Sequence, residues 1–292
     1  SQKAFVDMPL NIGEINQLRV KRETDISYIL VSDNDPYEVF MHFNQATKRL
    51  SENELVNVFL YYDNKHRLCA TMEEPIITTQ KYGFVECVGV KENVGCFMNI
   101  GTAKDILLSK DYLPANPKAW PKNKDMLPCI LKVKKDSIVC KIISRDEIIK
   151  QPSSLKINDT VLAYVTSFTS TGLLCTNEQF NVIYVHKSMI RKKYRLGEEI
   201  ILTIININNK GEYNGSTITQ KETMRLSDSQ MLLNYLKDMG GIIPLGNLST
   251  PEDISKVFTL SKSAFKRAVG ALYKERLIEI EDYRIILKQE KH

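Results

Sequence analysis

The sequence predicts a mainly β fold with a C-terminal α+β module: three small five-stranded barrels in tandem, followed by three helices and a hairpin. Two observations predict this architecture. Up to about residue 225, short runs with apolar residues at alternate positions are separated by turn residues, and beyond it segments of helical periodicity take over. Within the strand-rich part, a weak internal repeat occurs three times.

The repeat is clearest in three strands that each lead through a polar turn into another short strand. These strands cover residues 54–60, 126–133 and 200–207. Aligning Val56, Leu127 and Ile200 gives offsets of 71 and 73 residues. A repeat of this length that ends in a hairpin predicts one small domain per repeat.

A second shared feature lies upstream of the last two hairpins, where a strand, a glycine-bearing bend and another strand follow one another. The bends contain Gly95 and Gly172, which are 77 residues apart. Glycine suits a position that needs a positive φ or a close approach of two backbones. Five short strands in about 70 residues suit a closed barrel, which has no exposed edge. A β-sandwich over residues 1–225 is the alternative.

The C-terminal part predicts three helices. Residues 227–239 carry an apolar stripe that Gly240 and Gly241 end. The stripe consists of Met231, Leu232, Tyr235, Leu236 and Met239. Thr250 and Pro251 suit the start of a second, short helix. A third helix is predicted to begin after Ser261.

The third predicted helix has an apolar face and a basic face. Phe265, Ala268, Val269 and Leu272 form the apolar stripe, and the other side holds Lys262, Lys266, Arg267, Gly270 and Lys274. A hairpin that includes Arg284 follows at once. Three helices closed by a β-hairpin describe a winged helix, whose third helix can meet nucleic acid. The alternative is a solvated basic face on a packing module.

Charge is distributed unevenly over the four predicted domains, which cover residues 1–75, 76–149, 150–225 and 226–292. The first has 8 Lys and Arg against 12 Asp and Glu, for a net charge of −4. The second and third each have a net charge of +4, and the last has +1. The basic middle favours a polyanionic partner, and the acidic first domain favours a structural role or a protein partner.

Several functional classes are excluded or disfavoured. The six cysteines contain no Cys-x-x-Cys pair and none lies at ligand spacing from the four histidines, which predicts buried thiols in a reducing cytoplasm and no zinc site. No apolar run reaches the length of a membrane span and no signal peptide is evident, so no membrane partner is expected. Dispersed acidic residues and the absence of catalytic motifs predict no enzymatic activity, no cofactor and no metal.

The barrel repeats resemble the S1-type RNA-binding domain, a five-stranded OB fold. The second repeat keeps Gly83, Gly95 and Phe97 of the S1 pattern. The third keeps Gly172 and residues 185–188, but has Leu174 at the position of a stacking Phe. The first repeat keeps little beyond its hairpin, so it is predicted to be degenerate.

Three S1-type barrels followed by a winged helix resemble the conserved virulence factor B (YitL-like) family of bacterial proteins. Residues 260–275 are especially similar to the C-terminus of that family. The resemblance implies a cytoplasmic RNA-binding regulator of gene expression without enzymatic activity.

The predicted RNA-binding residues centre on the third repeat, where residues 184–195 form the richest basic and aromatic cluster of the chain. The cluster contains Tyr184, His186, Lys187, Arg191, Lys192, Lys193, Tyr194 and Arg195. Tyr164 and Phe168 are candidates for base stacking in the same repeat, and Phe97, Phe84 and Lys104 are candidates in the second. In the winged helix the candidates are Lys262, Lys266, Arg267, Lys274 and Arg284.

The leading hypothesis is an RNA-binding protein that engages single-stranded RNA through the third barrel and the winged helix, with little sequence readout. One alternative is a DNA-binding transcriptional regulator with the third helix in a major groove. The other is a scaffold whose degenerate barrels bind protein partners.

Overall fold

A computed structural model describes residues 10–150, 154–217 and 220–289 of the chain. The chain divides into two compact units, Ser1–Gly215 and Ser216–His292. The first unit contains three closed β-barrels, and the second contains a winged helix. The predicted fold class is therefore confirmed, and the alternative of a single β-sandwich is wrong.

The first barrel has the strand order β1-β2-β3-β5-β4. Its strands are β1 Ile15–Glu23, β2 Ser27–Ser32, β3 Asp35–His42, β4 Leu55–Tyr62 and β5 Leu68–Thr71. Alternate side chains point inward and form a core that includes Leu18, Leu30, Met41 and Val58. The antiparallel meander of β1, β2 and β3 closes because β3 pairs with β5 in parallel.

The second and third barrels repeat this topology. The second consists of β6 Gly83–Lys91, β7 Gly95–Asn99, β8 Ile106–Ser109, β9 Met126–Lys134 and β10 Ser137–Ile142. The third consists of β11 Thr160–Phe168, β12 Gly172–Asn177, β13 Val182–His186, β14 Glu199–Ile207 and β15 Tyr213–Ser216. In both, the third and fifth strands pair in parallel and close the barrel, as in the first.

The two predicted bend glycines lie where backbones approach closely. Gly95 has a φ of +141°, and a Cβ added there would lie 2.1 Å from the carbonyl oxygen of Leu108. A Cβ added to Gly172 would lie 2.0 Å from the carbonyl oxygen of Val185. Any larger residue would therefore separate the second and third strands of its barrel.

Neighbouring barrels share parts of their cores. Phe59 of the first barrel and Leu196, which precedes β14 of the third, are both buried in the core of the second barrel. The backbone amide of Thr79 also donates to the carbonyl of Gly13 at 3.1 Å, which joins the first barrel to the second. The middle barrel is thus stabilised by side chains from both of its neighbours.

The winged helix consists of α1 Gln220–Asp238, β16 Ile242–Ile243, α2 Pro251–Ser255, α3 Lys262–Lys274, β17 Ile278–Ile280 and β18 Ile285–Leu287. The predicted cap of α2 is confirmed, since Thr250 Oγ1 accepts from the amide of Asp253. The third helix begins after Ser261 as predicted, and Ser261 Oγ caps it by accepting from the amide of Ala264. The predicted apolar stripe of α3 is buried as expected.

Two details of the winged helix differ from the prediction. Met231 and Met239 are 40% and 53% exposed, so neither belongs to the buried face of α1. That face is formed by Leu232, Leu233 and Leu236, which pack in one core with the apolar residues of α3 and of the sheet. The short strand β16, which pairs with β18, was not predicted.

All six cysteines are free and buried. Burial raises the pKa of the Cys69 thiol, with nearby Asp63 adding to the effect, to about 11, and burial raises that of Cys175 to about 12. Among the helices that the structure describes, none combines the length and the apolar character that crossing a membrane requires.

The glycine geometry predicts a large effect of one added methyl group. We expect Gly95→Ala to destabilise the second barrel by about 3 kcal/mol, because its Cβ would overlap a backbone carbonyl and its φ disfavours side chains. The matched control is Gly89→Ala in the same strand pair, where the nearest atom to an added Cβ lies 3.7 Å away. Thermal unfolding of both variants checks this expectation, and equal midpoints would contradict it.

Candidate nucleic-acid interface

The candidate site is built on the basic segment, which we define as residues 187–195 between β13 and β14. It begins with a 3-10 turn, Lys187–Met189, whose N-cap is His186. The His186 Nδ1 accepts from the amide of Ser188 at 3.2 Å, so this imidazole orders the turn. Lys187, Arg191, Lys192 and Lys193 are all exposed on the segment that follows from this cap.

The basic segment lines two surface grooves. The first has a volume of about 440 Å³, and its walls include Ser170, Gly172, Lys187 and Arg191. The second, which we call the junction groove, has a volume of about 590 Å³ and lies between the second and third barrels. Leu173, Ile190, Lys192 and Lys193 line both grooves, so the two are continuous.

Two aromatic side chains line the junction groove. Phe168, at the end of β11, is 39% exposed. Tyr194 is half-buried, and the Lys192 Nζ lies 4.6 Å from the centre of its ring. An exposed ring beside several cations can stack a base while the cations bind the adjoining phosphates.

Tyr184 and His186 lie at the end of β13, next to the first groove. Their ring centres are 6.5 Å apart, and the Tyr184 hydroxyl forms a hydrogen bond with Thr171 Oγ1. His186 is exposed, whereas Tyr184 is half-buried. Base stacking on these two rings stays a prediction.

Tyr164 and Phe84, two predicted stacking residues, are instead packed between the barrels. Tyr164 is only 8% exposed, and its ring centre lies 5.4 Å from that of Phe84. Phe84 also packs on Phe180 of the third barrel, at 5.2 Å. The expectation that Tyr164 and Phe84 stack bases is therefore wrong, because Tyr164 is buried and the half-buried ring of Phe84 already packs against two rings of the third barrel.

Arg195, a predicted RNA ligand, forms an ion pair that joins the same two barrels. Its Nε and Nη2 donate to the two carboxylate oxygens of Asp125 at 2.6 and 2.8 Å. The Asp125 side chain is 7% exposed and that of Arg195 is 27% exposed. The hydrogen bond to Asp125 raises the pKa of Arg195. Arg195 is thus a structural residue, and its assignment to RNA is corrected, because its guanidinium already binds a buried carboxylate.

A second carboxylate lies beside this pair. Glu198 accepts hydrogen bonds from Lys192 Nζ at 2.6 Å and from the amide of Arg195 at 2.9 Å. Burial raises the pKa of Glu198, but these hydrogen bonds outweigh it and the pKa is lowered overall. Glu198 is therefore ionised at neutral pH, and it orients the Lys192 ammonium at the edge of the junction groove.

The two other candidates of the second barrel differ from each other. Phe97 is half-buried and lies outside the core, with its ring against Gly89. Lys104 donates from its ammonium to the carbonyl of Tyr62 in the first barrel, and burial lowers its pKa. Its assignment to RNA is corrected, because the ammonium is held between the first two barrels.

In the winged helix, the predicted basic residues lie mostly in solvent. Lys266, Arg267 and Lys274 of α3 are exposed and Lys262 is half-buried. Arg284 is exposed, but it forms an ion pair with Glu281 on the hairpin. Two exposed rings in this domain, Tyr273 and Tyr283, were not predicted from the sequence and are 58% and 64% exposed.

The second barrel's part of the junction groove was not predicted from the sequence either. Asn116, Lys118 and Lys122, in the loop between β8 and β9, line its wall. The two lysines flank Trp120 in the sequence, and Trp120 is buried as a loop anchor. A buried Trp between exposed lysines is the signal that could have marked this loop as ordered and basic. Within the described residues, no cluster of three or more His, Cys, Asp or Glu side chains could hold a metal ion.

Comparison with known proteins identifies similar domains and whole chains. A model of the S1 domain matches residues 12–73, a model of the CvfB first S1-like domain matches residues 82–139, and a model of the CvfB-like winged helix domain matches residues 230–287. The S1 match thus covers the barrel in which the sequence keeps least of the S1 pattern.

Three similar proteins cover nearly the whole chain. YitL of Bacillus subtilis is 30% identical over 272 residues, which are 92% of this chain and 91% of YitL. Conserved virulence factor B of Staphylococcus saprophyticus is 30% identical over 285 residues, 95% of each chain. The crystal structure of a multidomain protein with nucleic acid binding domains from Streptococcus pneumoniae is 25% identical, has a TM-score of 0.61, and covers 95% of this chain and 98% of its own.

The Arg195–Asp125 contact predicts strong coupling between two residues of different barrels. In a double-mutant cycle with Arg195→Ala and Asp125→Ala, we expect a coupling energy of about 2 kcal/mol, less than for a fully buried pair because part of Arg195 is solvated. The control is the exposed Arg19–Asp33 pair, whose bidentate geometry is similar at 2.9 and 3.2 Å. Chemical denaturation of each variant measures the coupling, and equal coupling in both pairs would contradict this expectation.

Proposed function

Because the chain belongs to the family of the conserved virulence factor B and YitL proteins, we propose that it is a non-enzymatic RNA-binding protein that regulates gene expression after transcription. In this proposal the third barrel and the winged helix bind single-stranded RNA through backbone charge and base stacking, with little readout of sequence. The six buried free thiols support a location in the reducing cytoplasm.

The observation that carries this proposal is the exposure of several cations along one continuous groove that also exposes a ring. Lys187, Arg191, Lys192 and Lys193 line it, and Phe168 supplies the ring. Each cation that neutralises a phosphate releases a counterion, so affinity should fall steeply with salt. Stacking on Phe168 would add about 1–3 kcal/mol per base, whatever the base.

A flexible single strand fits this groove better than a duplex does. In a duplex the faces of the bases are stacked on each other and cannot reach a side chain such as Phe168. A single strand can turn a base onto the ring while its phosphates follow the cations of the basic segment. Recognition of this kind depends on charge and stacking, and it supports binding with little sequence preference.

The winged helix supplies a second, separate set of proposed RNA contacts. Lys266, Arg267 and Lys274 on α3 would bind phosphates, with Lys262 and Arg284 at its margins. Tyr273 on the same helix offers an exposed ring. The exposed basic face of α3 also supports a second candidate, in which this helix binds a major groove of duplex DNA.

The acidic first barrel does not belong to the proposed RNA surface. Its net charge of −4 over residues 1–75 would repel a polyanion. We propose a structural role for it or a contact with another protein, which leaves the binding of RNA to the third barrel and the winged helix.

Replacing three cations of the basic segment should weaken binding of RNA. For the full chain with Arg191, Lys192 and Lys193 replaced by Ala, we expect about 100-fold lower affinity for a single-stranded oligouridylate at 0.1 M salt. The slope of the logarithm of affinity against the logarithm of salt concentration should become smaller by about 2, because each of the three lost phosphate contacts contributes about 0.7. Fluorescence anisotropy over a salt series measures both quantities.

The matched control replaces Lys132, Lys134 and Lys135 by Ala, which removes the same charge from the hairpin of β9 and β10. Asp136 of this hairpin contacts His66 of the first barrel, and none of the three lysines lines either groove. The full chain is required, because a fragment from residue 150 onward would separate Arg195 from Asp125. Equal affinities of the two triple variants would contradict the proposed function.

The winged helix is tested by Lys266→Ala with Lys274→Ala. If α3 also contacts the RNA, affinity for oligouridylate should fall about 25-fold at 0.1 M salt, because two phosphate contacts are lost. The control is Lys237→Ala with Lys288→Ala in the same domain. A loss confined to duplex DNA would favour the DNA-binding alternative and would contradict a role of α3 in binding RNA.

A further inference from the structure

We propose that the loop between β8 and β9 of the second barrel forms the opposite wall of the RNA site, so that the bound strand lies in the junction groove between two barrels. Lys118 and Lys122 would bind its phosphates across from Lys192 and Lys193. This inference rests on the proposed function and extends it, because it adds a composite site to which the second barrel contributes a loop.

The loop is ordered by its own contacts. Trp120 is 5% exposed, and its Nε1 donates to the carbonyl of Pro114 at 2.6 Å. A 3-10 turn, Pro117–Ala119, is capped by Asn116, whose Oδ1 accepts from the amide of Lys118 at 3.1 Å. Lys118 and Lys122 therefore extend from a backbone of fixed shape, which reduces the entropy lost when a ligand binds.

The loop is also held against the third barrel by main-chain hydrogen bonds. The amide of Leu196 donates to the carbonyl of Ala119 at 2.8 Å, and the amide of Met126 donates to that of Gly197 at 3.1 Å. These bonds lie next to the Arg195–Asp125 ion pair. The two walls of the groove are therefore joined at its base, and the site exists before a ligand arrives.

The charges of the groove fit a polyanion. In the part of the chain that the structure describes, neither Lys118 nor Lys122 forms an ion pair, and both are exposed. The carboxylate of Glu198 is already bound by Lys192. The net field in the groove is thus positive, which attracts phosphates to both walls.

The shape and lining of the groove favour RNA over an acidic peptide. Its volume of about 590 Å³ continues into the groove of about 440 Å³, so an extended chain can pass through both. Phe168 and Tyr194 lie on the same lining as the lysines. Rings at this position suit flat bases, whereas an acidic peptide would use the cations alone.

The test compares two charge-matched variants of the full chain. Lys118→Gln with Lys122→Gln should lower affinity for a single-stranded oligouridylate about 25-fold at 0.1 M salt and reduce the salt slope by about 1.4. The control, Lys132→Gln with Lys135→Gln, lies in the same barrel on the hairpin that faces the first barrel. Circular dichroism and unfolding midpoints establish that both variants keep the fold.

The outcomes separate this inference from the proposed function. If the Lys118 and Lys122 variant binds like its control while the basic-segment triple variant is weakened, the composite site is overturned and the proposed function stands. If neither variant is weakened, the proposed function fails as well. Polyglutamate that displaces the RNA probe as well as an oligouridylate of equal charge does would also overturn the inference, because the rings would then contribute nothing.

Discussion

The carboxylate of Asp125 is buried at the edge of the second barrel, and a buried charge must be paired or its burial costs several kcal/mol. The cation that pairs with it, Arg195, belongs to the third barrel. This requirement brings the ends of two barrels together and holds residues 195–198 against the loop between β8 and β9. The junction groove follows from that ion pair and the main-chain hydrogen bonds around it, while Trp120 orders the loop that carries Lys118 and Lys122.

The same contact divides the aromatic residues of these barrels into two groups. Phe84, Tyr164 and Phe180 lie between the barrels and stabilise their association. Phe168 and Tyr194 remain at the groove. In an isolated third barrel, the ring of Tyr164 would be exposed and could stack on a base. Here the second barrel packs against that ring through Phe84. Because the barrels pack in tandem, the rings that stay accessible, Phe168 and Tyr194, lie at the edge of the third barrel.

Features that depend on nearby residues could be predicted from the sequence. The strands, the cap of α2, the start of α3 and its buried stripe all depend on residues that lie close together in the sequence. Gly95 and Gly172 could be predicted because only glycine tolerates the contacts made there. Arg195, by contrast, lies 70 residues from its partner Asp125, and nothing in the local pattern distinguishes an ion-pairing arginine from an RNA-binding one.

The same limit explains the errors at Tyr164, Phe84 and Lys104. Tyr164 and Phe84 lie on strands with their side chains outside their own barrel, as sequence periodicity indicates, and Lys104 lies in the loop between β7 and β8. A neighbouring barrel packs against each of them. Periodicity reports which side of a strand faces the core and carries no information about what covers the other side. The groove lysines Lys118 and Lys122 were not predicted, because their loop has neither strand nor helix periodicity. Its order depends on the buried side chain of Trp120.

Because its six thiols are buried, the protein should react slowly with thiol reagents. Alkylating reagents and peroxides react with thiolates that they can reach, and all six thiols are shielded from solvent. A cysteine introduced on the surface would therefore be the preferred target of a fluorophore or a cross-linker. Native cysteines could be kept during such labelling, and a dye attached near the groove would report on its ligand without changes to the core.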